Sequence, residues 1–236
     1  MNVIIEIGYT NIKVLINGKI SLYKATSINI GRLIEKYKSE ASQIYICSNN
    51  EKLNPEINQH KLNNIDKITI VDKYLILNKL NSKMNINVNE VGIDLLVLCL
   101  YLRLKRFKDC LLISVGSAIV SLVWKDFDIH SVGINLGIES VQKSINAKLG
   151  LKSSTEFRHI RGVTTETALE LGNFLYLDGI IKSNRNLFEL DKKPCILTGN
   201  GVNGKNFGPL KDTNENIEYQ DNIILNTLDI LFNQKQ

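Results

Sequence analysis

Apolar and polar positions along the chain fall into short blocks. In residues 2–20, NVIIEIGYTNIKVLINGKI, three apolar runs are separated by a Gly-Tyr-Thr-Asn corner and an Asn-Gly corner. Runs of this length between such corners predict strands, and Asn17-Gly18 predicts a tight type I′ hairpin. A second stretch, LLISVGSAIVSLVWKDFDI in residues 111–129, repeats the plan. Setting Glu6-Ile-Gly8 against Ser114-Val-Gly116 brings Ile12 onto Val120, Val14 onto Leu122 and Leu15 onto Val123, with Lys125-Asp126 as the weaker counterpart turn. Two copies, each followed by helical patterns, predict a duplicated α/β unit.

The intervening segments fit that plan. Residues 91–107 are rich in Leu and close on Arg103, Lys105 and Arg106, as at a helix C-terminus. Ile138, Val141, Ile145 and Leu149 follow helical spacing up to Gly150. Ala168, Leu171 and Leu175 do the same, with Thr167 and Glu170 as a capping box. Ile224, Leu228 and Leu231 mark a last helix with Asp221 as its cap. Residues 43–47, 68–71 and 195–198 read as short strands, whereas 49–67 and 182–194 read as surface connections. The boundary falls near Asp109, giving halves 1–109 and 110–236.

Composition narrows the partners. The 236 residues are 44% hydrophobic and 22% charged, ordinary for a globular protein with a substantial core. The net charge of +5 is spread without a run of like charges or a basic stripe with interleaved aromatics. Nucleic acid is therefore not an expected partner. The longest apolar run, 95–102, is shorter than the roughly 20 residues a membrane span needs, and the first residues read as a strand and not as a secretory leader. Cys47, Cys99, Cys110 and Cys195 lie far apart, and the only histidines are His60, His130 and His159. Reduced thiols in the cytoplasm are expected, without a zinc site or a disulfide framework.

Two glycine corners facing each other across a cleft suit a nucleotide. Gly8 and Gly116 allow backbone N–H groups to approach phosphate oxygens. Thr10 and Asn11 supply further donors, Lys13 a positive charge and Glu6 a carboxylate for Mg²⁺. The same residues also suit a plain hairpin with a solvated lysine.

Six short motifs, in order over nearly the whole chain, resemble those of the type III pantothenate kinases. Glu6-Ile-Gly8-Tyr9-Thr10-Asn11-Ile-Lys13 resembles D-x-G-N-T-N-x-K, and Glu90-Val-Gly92-Ile-Asp94-Leu95 resembles E-x-G-x-D-R. Ser114-Val-Gly116-Ser117-Ala118 stands where the family has D-x-G-T-A, and Ile134-Asn-Leu136-Gly137 where it has I-x-P-G. Thr164-Thr165 through Ala168 and Gly172 is similar to N-T-x-x-A-x-x-x-G, and Thr198-Gly199-Asn200 to T-G-G. The resemblance implies two ribonuclease-H-like halves of the actin-like ATPase superfamily, with the nucleotide in the cleft between them. It also implies ATP-dependent phosphorylation of pantothenate to 4'-phosphopantothenate, the first step toward coenzyme A, with Mg²⁺, a monovalent cation (K⁺ or NH₄⁺) and a homodimer.

Position by position, the resemblance makes Asp94 the general base, and Gly8, Thr10, Asn11 and Lys13 the first phosphate loop. Gly116 and Ser117 become the second loop, and Gly137 and Gly199 nucleotide-side glycines. Gly92 and Thr165 fall near the acceptor, and Glu6 and Ser114 at the cations. Read alone, Asp94 also suits a helix N-terminal acid and Thr165 a helix cap.

The departures fall on charged positions. Glu6 replaces Asp, Tyr9 replaces Asn, Leu95 replaces Arg, Ser114 replaces Asp, Leu136 replaces Pro and Asn200 replaces Gly. Loss of the Ser114 carboxylate weakens a cation site, since hard cations rely on anionic oxygens. The alternative reading is therefore a catalytically impaired pseudokinase that keeps the fold for binding or regulation. Sugar and acetate kinases of the same superfamily are longer chains.

Overall fold

The computed structural model describes residues 1–64, 66–80, 87, 90–151, 161–201 and 204–233, so His159 lies outside the described residues. The chain forms two compact units, Met1–Lys105 with Ile223–Gln236, and Arg106–Asn222.

In the first unit β1 (Asn2–Ile7), β2 (Asn11–Ile16) and β3 (Lys19–Lys24) run antiparallel as a meander. Then come α1 (Ser27–Lys38), β4 (Gln43–Ser48), a 3-10 turn Glu51–Leu53, α2 (Asn54–Leu62), β5 (Ile68–Ile70), α3 (Lys73–Leu80) and α4 (Ile93–Leu104). β4 and β5 add in parallel on the other side of β1, giving the order β3-β2-β1-β4-β5. Asn17 and Gly18 both take positive φ, 48° and 76°, as the Asn-Gly pair predicts for a type I′ turn.

The second unit repeats the order. β6 (Cys110–Val115), β7 (Ala118–Lys125) and β8 (Asp128–Leu136) form the meander. They are followed by α5 (Ile138–Leu149), α6 (Thr165–Leu187), β9 (Cys195–Thr198), α7 (Gly204–Thr213) and β10 (Ile217–Tyr219). The sheet order is β10-β9-β6-β7-β8, with β9 and β10 parallel. The two sheets share one topology, so the duplication read from the sequence is a structural repeat. The last helix, α8 (Ile223–Asn233), returns to the first unit and packs on α4 and β1. A division at Asp109 counts α8 with the second half; its packing groups it with the first.

Strand alternation sorts the first sheet's side chains. Val3, Ile5 and Ile7 of β1 pack with Ile30, Leu33, Ile34 and Tyr37 of α1. Ile4 and Glu6 point to the opposite face, where α4 meets β4, α8 meets β1 and Tyr45 stacks on Phe232 at 3.9 Å. In the second unit Leu111, Ile113 and Val115 of β6 form a core with Ile138 of α5 and Phe174, Leu177 and Ile181 of α6. Trp124 is fully buried and its indole N–H donates to the Phe107 carbonyl at 2.9 Å. All four cysteines are free and buried, and burial pushes the Cys110 and Cys195 thiols up to about 12.

Several sequence expectations change. Residues 49–67 are not a bare connection, for the 3-10 turn and α2 occupy them, anchored by Pro at the helix start and buried Ile57. One apolar anchor in nine residues leaves no periodicity to read. Residues 182–187 continue α6. The capping box is Thr164 with Thr167, one turn ahead of the Thr167/Glu170 expectation. Thr165 is then the first helical residue and not the cap. Asp221 accepts the Tyr219 hydroxyl at 3.2 Å. Among the described residues no helix is long and apolar enough to cross a membrane.

Because α8 completes the first unit, Leu228→Ala, which empties a fully buried position on that helix, should destabilise the first unit by about 2–5 kcal/mol. A lowered urea midpoint at unchanged slope checks it.

Candidate functional site

The chemistry-bearing residues of the first unit collect at the C-terminal ends of β1 and β4. Glu6 lies on β1 directly opposite Lys13 of β2 and beside Cys47 of β4. Beyond Ile7 the chain turns through Gly8, Tyr9 and Thr10, and the Gly8 N–H donates to the Asn11 carbonyl at 2.9 Å. Thr10 gives its carbonyl to the Ala25 N–H at 2.9 Å, which fixes the corner against the end of β3. Among the described residues, an alanine Cβ at Gly8 would have only the Asn11 carbonyl near it, at 3.4 Å.

Cross-strand pairing dictates the electrostatics beneath the corner. The Lys13 ammonium sits 3.8 Å from Glu6 Oε2, with 11% of the lysine side chain and 18% of the glutamate side chain exposed. Among the described residues Glu6 Oε2 has no hydrogen-bond partner. Burial pushes the Glu6 carboxyl above its ordinary value, Lys13 pulls it back down, and Asp94 pushes it up again. Asp94 is thus near enough to disfavour ionisation of Glu6. Cys47, buried beside them, is pushed well above its usual range by burial first and by Glu6 and Asp94 after it.

Asp94 stands in the first turn of α4, whose N-cap is Gly92. Its Oδ1 accepts the Leu95 N–H at 2.8 Å, and its own N–H donates to Asn49 Oδ1 at 3.4 Å. A Cβ on Gly92 would lie 2.4 Å from Asp94 Oδ1, so only glycine leaves the carboxylate this place. Helix N-terminus and carboxylate thus stabilise each other, as the plain reading of Asp94 requires, and this also fixes where the carboxylate points. Leu95 is buried, so the position where the family has Arg faces the core.

The second unit builds its corner from backbone. β6 ends at Val115 and β7 begins at Ala118, so only Gly116 and Ser117 turn the chain, with the Gly116 N–H donating to the Ala118 carbonyl at 2.9 Å. This corner is one residue shorter than the first. Glu6 pairs with Lys13, whereas Ser114 pairs with Val120. The alignment of the two stretches therefore slips by one past the corner: Ile12 corresponds to Ile119, and Lys13 to Val120. A hydroxyl and an isopropyl group stand where the first unit has its charge pair.

Three further glycines close on that turn. The Gly137 N–H donates to the Ser117 carbonyl at 3.2 Å, and a Cβ there would meet the Gly116 carbonyl oxygen at 2.2 Å. Gly199 has φ +100°, and a Cβ on it would lie 2.3 Å from the Val115 carbonyl oxygen. The Gly201 N–H donates to that same carbonyl at 2.8 Å. Gly116, Ser117, Gly137 and Gly199 are thus brought together, and the structure adds Gly201, which the sequence reading passed over. Thr165 stands exposed at the start of α6. Asn49 and Asn50 were also passed over in a segment read as connection.

The implied cations meet two different environments. Glu6, with a buried oxygen that makes no hydrogen bond among the described residues, fits a hard cation held directly or through water. Ser114 offers a hydroxyl alone. Among the described residues no group of three or more His, Cys, Asp or Glu side chains gathers as a metal cage.

No protein-family model matches the chain, and no curated protein matches it by sequence. Solved structures do match. A Campylobacter jejuni protein assigned to the Baf family of transcriptional activators superposes with a TM-score of 0.63 at 17% identity, over 96% of this chain and 95% of that one. A Sinorhizobium meliloti protein assigned as a 2-dehydro-3-deoxygalactonokinase gives 0.61 at 9% identity, over 100% and 98%. An archaeal actin homolog gives 0.50 at 11% identity, over 98% and 100%. At these identities the likeness is one of fold. The repeated α/β units and these neighbours together give the chain the actin-like ATPase fold.

Two outcomes follow from this geometry. The folded chain holds the Glu6 proton to higher pH than the unfolded chain does, so ionisation of Glu6 subtracts from stability as pH rises through the folded pKa. Glu6→Gln lacks that titration, and its stability relative to wild type should climb as pH rises from the ordinary carboxylate range through the raised folded pKa, as read by urea unfolding at each pH. Gly137→Ala should destabilise the second unit by about 1–3 kcal/mol through overpacking against the Gly116 and Ser117 carbonyls, as read by a lowered melting temperature.

Proposed function

We propose that the chain is an ATP-dependent small-molecule kinase whose acceptor is pantothenate, yielding 4'-phosphopantothenate on the route to coenzyme A. The observation that carries the reading is the charged arrangement under a glycine corner. Glu6 and Lys13 face each other across two strands, and the Asp94 carboxylate is fixed at the start of α4, near enough to disfavour ionisation of Glu6. Such an arrangement suits phosphoryl transfer, in which the protein mainly positions groups and neutralises charge. The fold, with a kinase among the matched structures, supports the reaction class. The six ordered sequence motifs support the acceptor.

In this reading Asp94 takes the proton from the acceptor hydroxyl as it attacks the terminal phosphorus. Gly8, Thr10 and Asn11 hold phosphate oxygens through backbone and side-chain donors, and Lys13 offsets their charge. Gly116, Ser117 and Gly199 serve the nucleotide from the second unit. Gly92 and Thr165 belong to the acceptor side. Glu6 would hold Mg²⁺ directly or through water, where the ion would offset phosphate charge; Ser114 would offer a cation only a hydroxyl. A monovalent cation and a homodimer complete the proposal, in the cytoplasm.

A second reading has a specific observation behind it. The Ser114–Val120 pair leaves the second corner without the charges of the first, which suits a pseudokinase that binds nucleotide and does not transfer phosphate. A coupled ATPase assay with pantothenate separates the two. Turnover by the wild type that falls by about 10²–10⁴-fold in Asp94→Asn, with Mg-ATP binding retained, is the expected result. Wild-type nucleotide binding without turnover on pantothenate, sugars or acetate supports the pseudokinase. Equal rates in wild type and Asp94→Asn remove Asp94 from the role of base.

A further inference from the structure

The dipeptide that follows β4, Asn49-Asn50, joins the phosphate corner to the helix that carries Asp94. The β1–β4 ladder extends one step past the strands through the Asn49 N–H to the Ile7 carbonyl at 3.0 Å. The chain then turns, held by the Asn50 N–H on Ser48 Oγ at 3.2 Å and by the Ser48 hydroxyl on Asn54 Oδ1 at 2.9 Å. From this braced position Asn49 Oδ1 accepts the Asp94 N–H, and Asn50 Nδ2 donates to the Gly8 carbonyl at 3.2 Å.

The contact from Asn50 is made at some expense. Asn50 is only 6% exposed, and its Oδ1 has no hydrogen-bond partner among the described residues. A buried amide oxygen left unsatisfied costs about as much as its N–H contact returns. Stability alone gives little reason for an asparagine here. The consequence for the corner gives a better one. In a trans peptide the carbonyl and the following N–H point in opposite directions. With the Gly8 carbonyl held by Asn50, the Tyr9 N–H of the same peptide must point the other way, outward from Asn50. A donor fixed before the ligand arrives binds without the entropy of reorienting the corner.

The geometry points to Asn50 as a positioning residue for the phosphate groups of the nucleotide, acting through the Gly8–Tyr9 peptide. This rests on the nucleotide-binding part of the proposed function and extends it to a residue outside the glycine corner. The residue does not touch the nucleotide; it sets the direction of a backbone donor that does.

The test compares wild type, Asn50→Ala and Asn50→Asp by calorimetric titration with Mg-ATP, Mg-ADP and adenosine. Asn50→Asp keeps the side-chain shape and replaces the donor with an acceptor facing the Gly8 carbonyl. Both variants should bind Mg-ATP and Mg-ADP about tenfold more weakly, about 1.4 kcal/mol, while binding adenosine as wild type does, because one positioned donor to a charged group is weakened. Equal weakening of all three ligands would reduce Asn50 to a purely structural residue and overturn the inference. Unchanged affinity for all three in both variants would overturn it as well, leaving the nucleotide reading in place. A wild-type chain that binds neither Mg-ATP nor Mg-ADP would overturn the nucleotide reading and this inference together.

Discussion

Parallel pairing of the first strand with the fourth is the constraint on which the first unit's chemistry rests. β1 is hydrogen-bonded to antiparallel β2 on one side and parallel β4 on the other. The first pairing forces a tight corner after Ile7, and the second makes β4 end at the same edge as β1. The groups of the candidate site in this unit are reached from that edge: Glu6 and Lys13 as cross-strand partners, the Gly8 corner, Asn49 and Asn50, and Asp94 at the start of α4. No side chain here needs a long reach, because the sheet brings the chain back to one place.

The same constraint explains why a costly charge lies so deep. Glu6 has the alternation of a core position: it shares a face with Ile4, which is fully buried. Desolvation works against its ionisation, and the only listener on the facing strand is Lys13. Replacing such a pair by apolar residues of similar volume is often neutral or stabilising. At the equivalent positions the second unit has Ser114 and Val120, smaller and uncharged, and its sheet forms with the same order. The sheet topology therefore does not require the pair, which leaves room for a role of Glu6 and Lys13 in binding.

Much of this was written in the sequence. Glycine corners, an Asn-Gly turn and two similar apolar blocks foretold the meanders, and Gly150 closes α5 in the left-handed conformation expected of a terminating glycine. What was missed has physical causes. α2 has a single buried residue, Ile57, so no stripe marks it. α1 was legible and went unread, for Thr26 caps it and Ile30, Leu33, Ile34 and Tyr37 follow helical spacing. The register slip past the second corner was hidden because apolar residues on both faces of β7 fit either alignment. Asn49 and Asn50 looked like loop polarity, and only their hydrogen bonds distinguish them from solvated asparagines.

The repeat also shows how one architecture can divide its labour. The first unit keeps ionisable side chains at its strand ends, where they can offset charge or move a proton. The second has removed them and packed glycines so closely around Gly116 that side chains are excluded: Gly137 approaches the Gly116 and Ser117 carbonyls, and Gly199 and Gly201 approach Val115. A turn walled by backbone presents amide dipoles, which are fixed in direction and do not titrate. Such a surface suits holding a polyanion and is poor at proton transfer, whereas Glu6, Lys13 and Asp94 beside the first corner carry groups that can offset charge and exchange protons. The unequal halves are thus a coherent pair of specialisations, and the missing carboxylate at Ser114 reads as part of that division as much as a loss.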